Sequence, residues 1–369
     1  MEYRLVVPCL LGLEGPIAAE ARKLGFADAA AENGRVRFSG GAGAVARANI
    51  GLRMGERVLI EMGAFDAESF DALFEGARVL PWEALLPKNA AFPVTGHCLN
   101  SKLMSVPDCQ RILKKAVAER MKSAFRQEWC PEDGPLYRIR FQLMKDRASL
   151  CVDTSGEPLY KRGYRRRRTA APLRETLAAG LVNIAGYRGR GDFCDPFCGS
   201  GTIAIEAALA AMNRAPGLDR EFAAMRWPGF DGKLWEEARA EAREREFHGD
   251  YRIFASDIDP EAVEIARENA RRAGVGELVR FSVADAAGFR MGTERGTIVT
   301  NPPYGERLND RKAAEGIYKA FGQAWRGLEN WKLYLLSGHT EFERCFGAPA
   351  DKKRKLYNGM LKCDLFMYL

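Results

Sequence analysis

The sequence predicts an open α/β domain with a mostly parallel sheet in its carboxyl-terminal half, preceded by two small α+β modules. Three features indicate this class. After residue 186, short apolar runs alternate with helical patterns, which is typical of βαβ units. Polar or glycine-rich turns follow several of these runs, where the strands of a parallel sheet would end. The chain closes on two strand patterns around Asn358-Gly359, a hairpin signal that indicates an antiparallel edge.

Length, charge and cysteine content narrow the class of protein. The 369 residues suggest two or three domains, and 47% hydrophobic residues suffice for buried cores. No apolar run reaches the roughly eighteen residues of a membrane helix, and the apolar start between Glu2 and Glu14 is predicted to be a strand, not an export signal. Nine cysteines without a Cys-x-x-Cys pair and three scattered histidines predict a reduced, cytoplasmic protein that holds no metal. The net charge of +7 mildly favours a polyanionic partner.

The division of the chain follows its strand and helix patterns. The first part alternates short strand and helix signals, which predicts a ferredoxin-like module. The second contains a long helix from Pro107 to Phe125 and then a strand pair joined at Lys145-Asp146-Arg147. A basic linker and a helix predicted over 169–184 follow, and the α/β domain occupies the rest. The predicted parts are residues 1–65, 66–155, 156–185 and 186–369.

Two basic segments favour contact with a nucleic acid. One is the helix that Pro107 opens, and the other is the run 161–168, in which six of eight residues are basic around Tyr164. Such a run repels itself unless phosphates neutralise it. A solvated helix face and a solvated interdomain linker are the alternatives. The candidate contacts are Lys102, Arg111, Lys114, Lys115, Lys161, Arg162, Arg165, Arg166, Arg167 and Arg168.

A glycine-rich turn is the first candidate ligand site of the α/β domain. The strand pattern at 193–195 leads into Pro196-Phe197-Cys198-Gly199-Ser200-Gly201, and a helix pattern follows. Glycines let a backbone approach a ligand closely, and a helix amino terminus offers N–H groups. The spacing differs from the dinucleotide fingerprint and resembles the first motif of S-adenosylmethionine methyltransferases, which places the amino-acid end of that cofactor over the turn. The candidate cofactor residues here are Asp195, Pro196, Cys198, Gly199, Gly201 and Thr202.

Two acidic turns further along the chain fit the same kind of cofactor. The second strand pattern ends in Asp257-Ile258-Asp259, where a carboxylate can accept both ribose hydroxyls. Asp257, together with Ile258, is the preferred candidate; Asp259 is the other, although it better fits the cap of the following helix. Asp285 follows the third strand pattern and can accept a hydrogen bond from an adenine amine. The alternative for Asp285 is an ordinary surface turn.

An insertion separates the first two of these turns. Asp257 lies 62 residues after Asp195 (257 − 195), against about 20 in a compact βαβ unit. The excess lies at 213–250 and carries Trp227-Pro228-Gly229-Phe230 and a charged helix pattern. We expect this insertion at the sheet edge, without an assigned role.

The turn Asn301-Pro302-Pro303-Tyr304 carries the predicted chemistry. It follows an apolar strand pattern, and its two prolines stop that strand and fix a rigid turn. This tetrapeptide is the signature of methyltransferases that act on a planar amino nitrogen. The Asn301 amide oxygen and the Pro302 carbonyl can accept the hydrogens of the amine, and Tyr304 can stack on the base that carries it. The predicted catalytic residues are Asn301, Pro302 and Tyr304, and Asn301 also borders the cofactor.

Together these motifs resemble one family. The glycine turn, Lys161-Arg162-Gly163-Tyr164 and the stretch 301–308 are similar to bacterial class I RNA methyltransferases with a THUMP RNA-binding domain, above all those that modify guanine N2 in 23S rRNA. The resemblance implies a Rossmann-like methyltransferase domain with a seven-stranded sheet and a terminal antiparallel hairpin, and a THUMP domain over 66–155. It also implies S-adenosylmethionine as cofactor, contact with it near Pro172, and 23S rRNA or a large-subunit precursor as the partner.

Other substrates share the same tetrapeptide. Adenine N6 in RNA or DNA and the side-chain amide of a protein glutamine are also planar, and an RNA-binding assembly factor with an inactive site is a further alternative. The basic amino-terminal half argues against a protein substrate, and intact Asn301 and Tyr304 argue against an inactive site. Guanine is preferred to adenine mainly because the family resemblance implies it. Guanine also has an N1–H donor beside N2, for which Glu306 is a candidate acceptor; the alternative is that Glu306 pairs with Arg307 or another neighbour.

Overall fold

Two β-sheets with helices packed against them make up the protein. A computed structural model describes residues 1–165, 173–305 and 308–369. Within these ranges, no helix combines the length and the apolar character needed to cross a membrane.

The first sheet belongs to the amino-terminal half of the chain and the second to the carboxyl-terminal half. The strands of the first are β1 (Tyr3–Pro8), β2 (Ala30–Glu32), β3 (Arg35–Gly40), β4 (Leu59–Asp66), β5 (Val94–Leu99), β6 (Ile139–Met144) and β7 (Arg147–Asp153). Those of the second are β8 (Asp192–Asp195), β9 (Ile253–Asp257), β10 (Val279–Val283), β11 (Gly296–Thr300), β12 (Trp331–Ser337), β13 (Lys352–Asn358) and β14 (Leu361–Tyr368). The helices are α1 (Glu14–Lys23), α2 (Ala42–Gly51), α3 (Phe70–Arg78), α4 (Val106–Phe125), α5 (Glu175–Ile184), α6 (Thr202–Ala211), α7 (Gly232–Glu244), α8 (Pro260–Arg272), α9 (Leu308–Trp325) and α10 (Phe342–Phe346).

The amino-terminal sheet runs across both small modules without a break. Its strand order is β2-β3-β1-β4-β7-β6-β5. β4 and β7 pair antiparallel from Leu59↔Asp153 to Asp66↔Arg147, with a bulge on β4. The boundary that the sequence predicts after residue 65 therefore lies inside a strand that joins the two modules. They form one structural unit.

The carboxyl-terminal sheet has the order β10-β9-β8-β11-β12-β14-β13. Its first five strands are parallel, and β14 lies antiparallel between β12 and β13. The direction of winding reverses between β8 and β11, and ligands of open α/β sheets bind outside the carboxyl ends of the strands at such a reversal. The predicted Rossmann-like class, with seven strands and a terminal hairpin, is confirmed.

The terminal hairpin forms where predicted, but its turn lies one residue later. Asn358 pairs with Leu361, so the two-residue loop is Gly359-Met360 rather than Asn358-Gly359. Gly359 has a φ of +66°, which suits the first loop position of a type II′ turn, whereas Asn-Gly in the loop would favour type I′. The glycine is therefore the residue that this turn requires.

Two predicted helix starts differ from the structure. The helix predicted over 169–184 begins at Glu175 after an extended Arg174, and residues 166–172 lie outside the described ranges. The helix predicted from Ile317 begins instead at Leu308. Several side chains of its first turns face solvent, so few apolar residues mark its period there. The earlier start brings this helix directly behind the Asn-Pro-Pro-Tyr turn.

The insertion packs against the amino-terminal half, so its predicted place at the sheet edge is wrong. Its helix α7 lies on α2. Trp227 stacks on Tyr137 of the amino-terminal half with ring centroids 4.2 Å apart, and Phe230 stacks on Tyr3 at 5.7 Å. Stacked aromatic pairs stabilise a packed core beyond the area that they bury. The insertion thus connects the two halves of the molecule.

Removing one of these rings should weaken the connection. Trp227 is 3% exposed, so Trp227→Ala should lower the free energy of unfolding by about 3–5 kcal/mol, as is typical for a buried aromatic residue. Trp129 is 70% exposed, and Trp129→Ala is the matched control, with an expected change within about 0.5 kcal/mol. Denaturant titration followed by circular dichroism measures both. A Trp227→Ala protein as stable as the control would refute the connecting role.

Candidate active site

The glycine turn lies between β8 and α6, and its shape is fixed by hydrogen bonds and close packing. The N–H of Gly199 donates to Asp257 Oδ2 at 2.8 Å, and the N–H of Gly201 donates to the Cys198 carbonyl at 2.8 Å. Gly201 has a φ of +82°, and a β-carbon there would lie 2.9 Å from the β-carbon of Ala266. Only glycine fits this position, which explains the motif physically.

The two aspartates after β9 have different roles. Asp257 accepts hydrogen bonds from the N–H of Gly199 through Oδ2 and from the N–H of Asp259 through Oδ1, the latter at 3.1 Å. Asp259 accepts from the N–H of Glu261 at 2.9 Å and caps α8, as its alternative assignment predicted. Each carboxylate oxygen has further acceptor capacity, so Asp257 can still accept from ribose hydroxyls. Asp257 remains the preferred ribose candidate.

Exposed apolar side chains border the same edge of the sheet. Ile258 is 68% exposed and Val283, at the end of β10, is 53% exposed. Exposed aliphatic side chains that follow neighbouring strands provide contact surface for a flat apolar ring. Asp285 lies beyond Val283 and is exposed; its Oδ1 accepts from the N–H of Ala287 at 2.9 Å. Such a bond is expected if Asp285 is an ordinary surface-turn residue, which is the alternative to adenine binding. The role of Asp285 in binding adenine stays a prediction.

A buried carboxylate links the glycine turn to the Asn-Pro-Pro-Tyr turn. Asp195 ends β8 and is 1% exposed, and its Oδ1 accepts from Thr300 Oγ1 at 2.7 Å. Its Oδ2 is buried without a hydrogen-bond partner among the described residues. Burial raises the pKa of Asp195 to about 7, and the nearby Asp257 carboxylate adds to this, although the Thr300 bond opposes it. The described part of the site therefore contains a buried acceptor for which it supplies no donor.

Asn301 and Tyr304 contact each other directly. The Tyr304 hydroxyl donates a hydrogen bond to Asn301 Oδ1, and its half-buried ring packs against the hydrophobic core. Burial raises the pKa of Tyr304, so the phenol stays protonated and remains a donor. The hydroxyl also lies near Asn358 and Cys363 of the terminal hairpin. Tyr304 thus fixes the orientation of the Asn301 amide, a role that the sequence did not predict.

The Pro-Pro turn is held from behind by a tyrosine that sequence reasoning missed. The Tyr318 hydroxyl of α9 donates to the Pro303 carbonyl at 2.6 Å and lies 3.3 Å from Ser337 Oγ. Ser337 Oγ in turn accepts from the N–H of His339 at 3.1 Å. Tyr318 is 1% exposed, and burial raises its pKa to about 12. In the sequence, Tyr318 is one apolar position of a helix, and nothing there indicates where its hydroxyl points.

Two arginines of the basic run point into the protein. The Arg162 side chain is 3% exposed and lies 3.4 Å from the buried carboxylate of Glu206 on α6. The Arg165 side chain is 9% exposed, donates to Thr202 Oγ1 at 2.7 Å and lies 3.5 Å from Glu175. The prediction that Arg162 and Arg165 contact RNA is therefore wrong, because burial removes both guanidinium groups from phosphates in solution. Arg165 instead braces the first residue of α6, beside the glycine turn.

The other basic candidates divide between surface positions and undescribed ones. Exposed or half-exposed pairs join Lys102 with Glu68, Arg111 with Asp108, Lys114 with Glu132 and Lys161 with Glu157, and Lys115 lies over the Phe74 ring. Surface pairs of this kind contribute little to stability, so phosphates can replace the carboxylates at small cost. These five basic residues stay RNA candidates. Outside the described residues lie Arg166, Arg167, Arg168, Pro172 and Glu306.

Comparison with known proteins identifies the family. A ferredoxin-like domain of the RlmL type matches residues 4–59, and the THUMP domain matches residues 67–153. The RMKL-like methyltransferase domain matches residues 162–366, more than half of the chain. This chain belongs to the THUMP-domain class I RNA methyltransferases. The three matches follow the order of the parts that the sequence predicts.

Relatives of this RNA methyltransferase align along its whole length. A Bacillus subtilis protein provisionally named RNA methyltransferase YpsC is 44% identical over 370 residues, covering 100% of this chain and 96% of YpsC. The ribosomal RNA large subunit methyltransferase K/L of Psychromonas ingrahamii is 34% identical over 98% of this chain but only 49% of its own length, so this chain spans about half of that relative. A solved methyltransferase, SMU.472 in complex with SAH, has a TM-score of 0.94 at 40% identity, covering 100% of this chain and 98% of that one.

The cofactor of this RNA methyltransferase is S-adenosylmethionine, and the described residues fit it. The unpaired Oδ2 of Asp195 is an acceptor suited to a buried cationic amino group. We propose that Asp195 would hold that amino group, Asp257 the ribose hydroxyls and Asp285 the adenine amine. Ile258 would pack against the adenine ring.

Protonation of Asp195 should control cofactor affinity. A cationic amino group prefers the carboxylate, so affinity for S-adenosylhomocysteine should fall up to about tenfold per pH unit below the pKa of about 7 and level off above it. Asp195→Asn should remove this dependence, whereas Asp259→Asn should keep it. Calorimetric titrations between about pH 5.5 and 8 measure all three proteins. A wild-type affinity that stays constant below pH 7 would contradict the assignment.

Removing the Tyr318 hydroxyl should slow methyl transfer and leave cofactor affinity intact. Tyr318→Phe keeps the ring but leaves the Pro303 carbonyl without its donor, a loss of about 1 kcal/mol that corresponds to roughly fivefold in kcat. Tyr368→Phe is the matched control, because that hydroxyl donates to the Ala348 carbonyl instead. Steady-state kinetics and S-adenosylhomocysteine titration are run on both. Equal losses of kcat in the two variants would indicate general destabilisation.

Proposed function

We propose that this RNA methyltransferase transfers a methyl group from S-adenosylmethionine to the exocyclic N2 amine of a guanosine in 23S rRNA or a large-subunit precursor. The observation that carries the proposal is the position of Asn301. It directly follows β11, the parallel neighbour of β8, and so lies at the edge that also holds the glycine turn. The THUMP domain and the Psychromonas relative support ribosomal RNA as the substrate.

The Asn-Pro-Pro-Tyr turn suits a nitrogen nucleophile that needs activation. The lone pair of an exocyclic amine is delocalised into its ring, so the amine is a poor nucleophile. Asn301 Oδ1 has a second lone pair besides the one that Tyr304 uses, and together with the Pro302 carbonyl it can accept both amine hydrogens. That arrangement directs the nitrogen lone pair out of the ring plane. The turn therefore orients the nucleophile without a covalent intermediate.

The same groups stabilise the charge that develops during transfer. S-adenosylmethionine supplies an electrophilic methyl group on its sulfonium. The Asn301 and Pro302 carbonyl dipoles would face the nitrogen on which positive charge grows. The Tyr304 hydroxyl already fixes the Asn301 amide, and Tyr318 holds the turn at the next carbonyl, that of Pro303. Dipoles fixed before the reaction need no reorganisation, which is the main source of electrostatic rate enhancement.

The target base must leave its stack to reach this turn. Unstacking costs about a few kcal/mol, and stacking of the base on the Tyr304 ring would offset about 1–3 kcal/mol of that cost. Guanine is favoured over adenine because an acceptor beside Asn301 would bind guanine N1–H, whereas adenine offers an acceptor at N1. The candidate for that acceptor, Glu306, lies outside the described residues.

Nucleoside mass spectrometry of ribosomal RNA tests the proposed function. Deletion of the gene should remove one N2-methylguanosine and leave N6-methyladenosine unchanged, and the wild-type gene should restore the lost nucleoside. Asn301→Ala should fail to restore it while binding S-adenosylmethionine within a few fold of wild type, because Asn301 is assigned to the amine. Loss of N6-methyladenosine instead would overturn the choice of base, and unchanged rRNA would overturn the proposal.

A further inference from the structure

A cavity between the two halves of the molecule shares no residue with the candidate active site. Its volume is about 290 Å³, and it lies between α1 and α2 on one side and α5, α6 and α7 on the other. Cavities of this size are typical of small-ligand sites. Three carboxylates and five basic residues line it; the basic residues are Lys23, Arg47, Arg53, Arg188 and Arg245.

Two buried charged atoms of the cavity wall have no hydrogen-bond partner among the residues that the structure describes. The Glu206 side chain is 0% exposed; its Oε1 lies 3.4 Å from Arg162 and accepts from the Tyr164 hydroxyl at 3.2 Å. Its Oε2 has no hydrogen-bond partner in the described part of the chain, and neither has the buried Nη1 of Arg53. Buried charged groups are normally paired, because an unpaired one loses its hydration without compensation. The wall therefore offers one strong acceptor and one strong donor.

The other carboxylates of the wall are already engaged. Glu20 accepts from the N–H groups of Arg53 and Met54 at 3.0 and 3.4 Å, and Glu241 pairs with Arg245 at 2.6 Å. Five cations against three carboxylates leave a formal charge of +2 (5 − 3) around the cavity. Lys23, Arg188 and Arg245 are exposed, so counterions in solution can balance their charge, whereas the buried Nη1 of Arg53 needs an acceptor inside the cavity. The cavity is thus suited to an anion that also carries a proton to donate.

We propose that this cavity binds a small molecule through a phosphate group. The phosphate oxygens accept from Arg53 Nη1, and a P–O–H or a neighbouring hydroxyl donates to Glu206 Oε2. Inorganic phosphate combines both properties near neutral pH, since it keeps at least one P–O–H proton there. Free phosphate donates through its own P–O–H, whereas a small phosphomonoester, mostly a dianion near neutral pH because its second pKa is about 6, donates through a neighbouring hydroxyl. Both are of a size that the cavity can contain.

The site would connect ligand binding to the cofactor turn. Arg53 belongs to the amino-terminal half, whereas Glu206 lies on α6, the helix that begins at Thr202 beside the glycine turn. A phosphate that bridges these residues joins the two halves. None of the described residues that line the cavity is assigned to methyl transfer, so a failure of phosphate binding is distinguishable from a failure of the proposed function.

Phosphate and sulfate distinguish this site from a general anion site. Both are titrated calorimetrically into the full chain at constant ionic strength, with S-adenosylhomocysteine saturating the cofactor site. Phosphate should bind at least tenfold more tightly than sulfate, because sulfate has no proton to donate to Glu206. Glu206→Gln keeps Oε1 but offers an amide N–H in place of Oε2, so it should reduce or invert that preference.

Two further experiments test whether phosphate binds in this cavity and whether the ligand is free phosphate or a phosphomonoester. Arg53→Lys should weaken phosphate binding, whereas Arg344→Ala, on the exposed face of α10, should leave it unchanged. Ribose 5-phosphate, which carries no base for the candidate active site, should bind more tightly than phosphate if the ligand is a phosphomonoester, and the reverse would identify free phosphate. Absence of binding, equal affinity for phosphate and sulfate in wild type, or loss of binding in Arg344→Ala would each overturn the proposal. The comparison in wild type decides even where a variant fails to fold.

Discussion

The carboxylate of Asp195 is the interaction on which both sides of the active site depend. It ends β8 immediately before the glycine turn and accepts a hydrogen bond from Thr300, the residue before Asn301. Because β8 and β11 are adjacent parallel strands, this bond ties the turn that fits the cofactor to the amide assigned to the target amine. The unpaired Oδ2 and the raised pKa of Asp195 are consequences of burying a carboxylate at this joint.

Much of the site could be predicted from the sequence because of one property of parallel sheets. Their strands end at the same edge, so motifs that follow successive strands meet there even when they are far apart in the chain. Asp195, Asp257 and Asn301 were placed in this way. The Tyr304 and Tyr318 hydroxyl contacts could not be, since a tyrosine in an apolar pattern gives no sign of where its hydroxyl points.

The density of basic residues in a segment did not indicate whether their side chains face solvent or the protein interior. The run that begins at Lys161 is expected to face solvent because its neighbours in the sequence are also basic. In the structure, however, Arg162 contacts Glu206, 44 residues later, and Arg165 contacts Thr202, 37 residues later. The predicted position of the insertion was wrong for the same reason, because its aromatic residues pack on the amino-terminal half, which is far away in the sequence. The pattern of a short stretch of sequence indicates amphipathic helices and turns. Whether a charged side chain is buried depends on partners that lie far from that stretch in the sequence.

The continuous β4–β7 pairing has a mechanical consequence. The amino-terminal half is one sheet, and stacked rings of Trp227 and Phe230 fasten that sheet to the catalytic half. These packed contacts among the described residues fix the distance between the THUMP domain and Asn301. An RNA bound to the THUMP domain would therefore present to Asn301 only those nucleotides that lie at this distance. The distance from the bound segment, in addition to base identity, would then select the nucleotide that reaches Asn301.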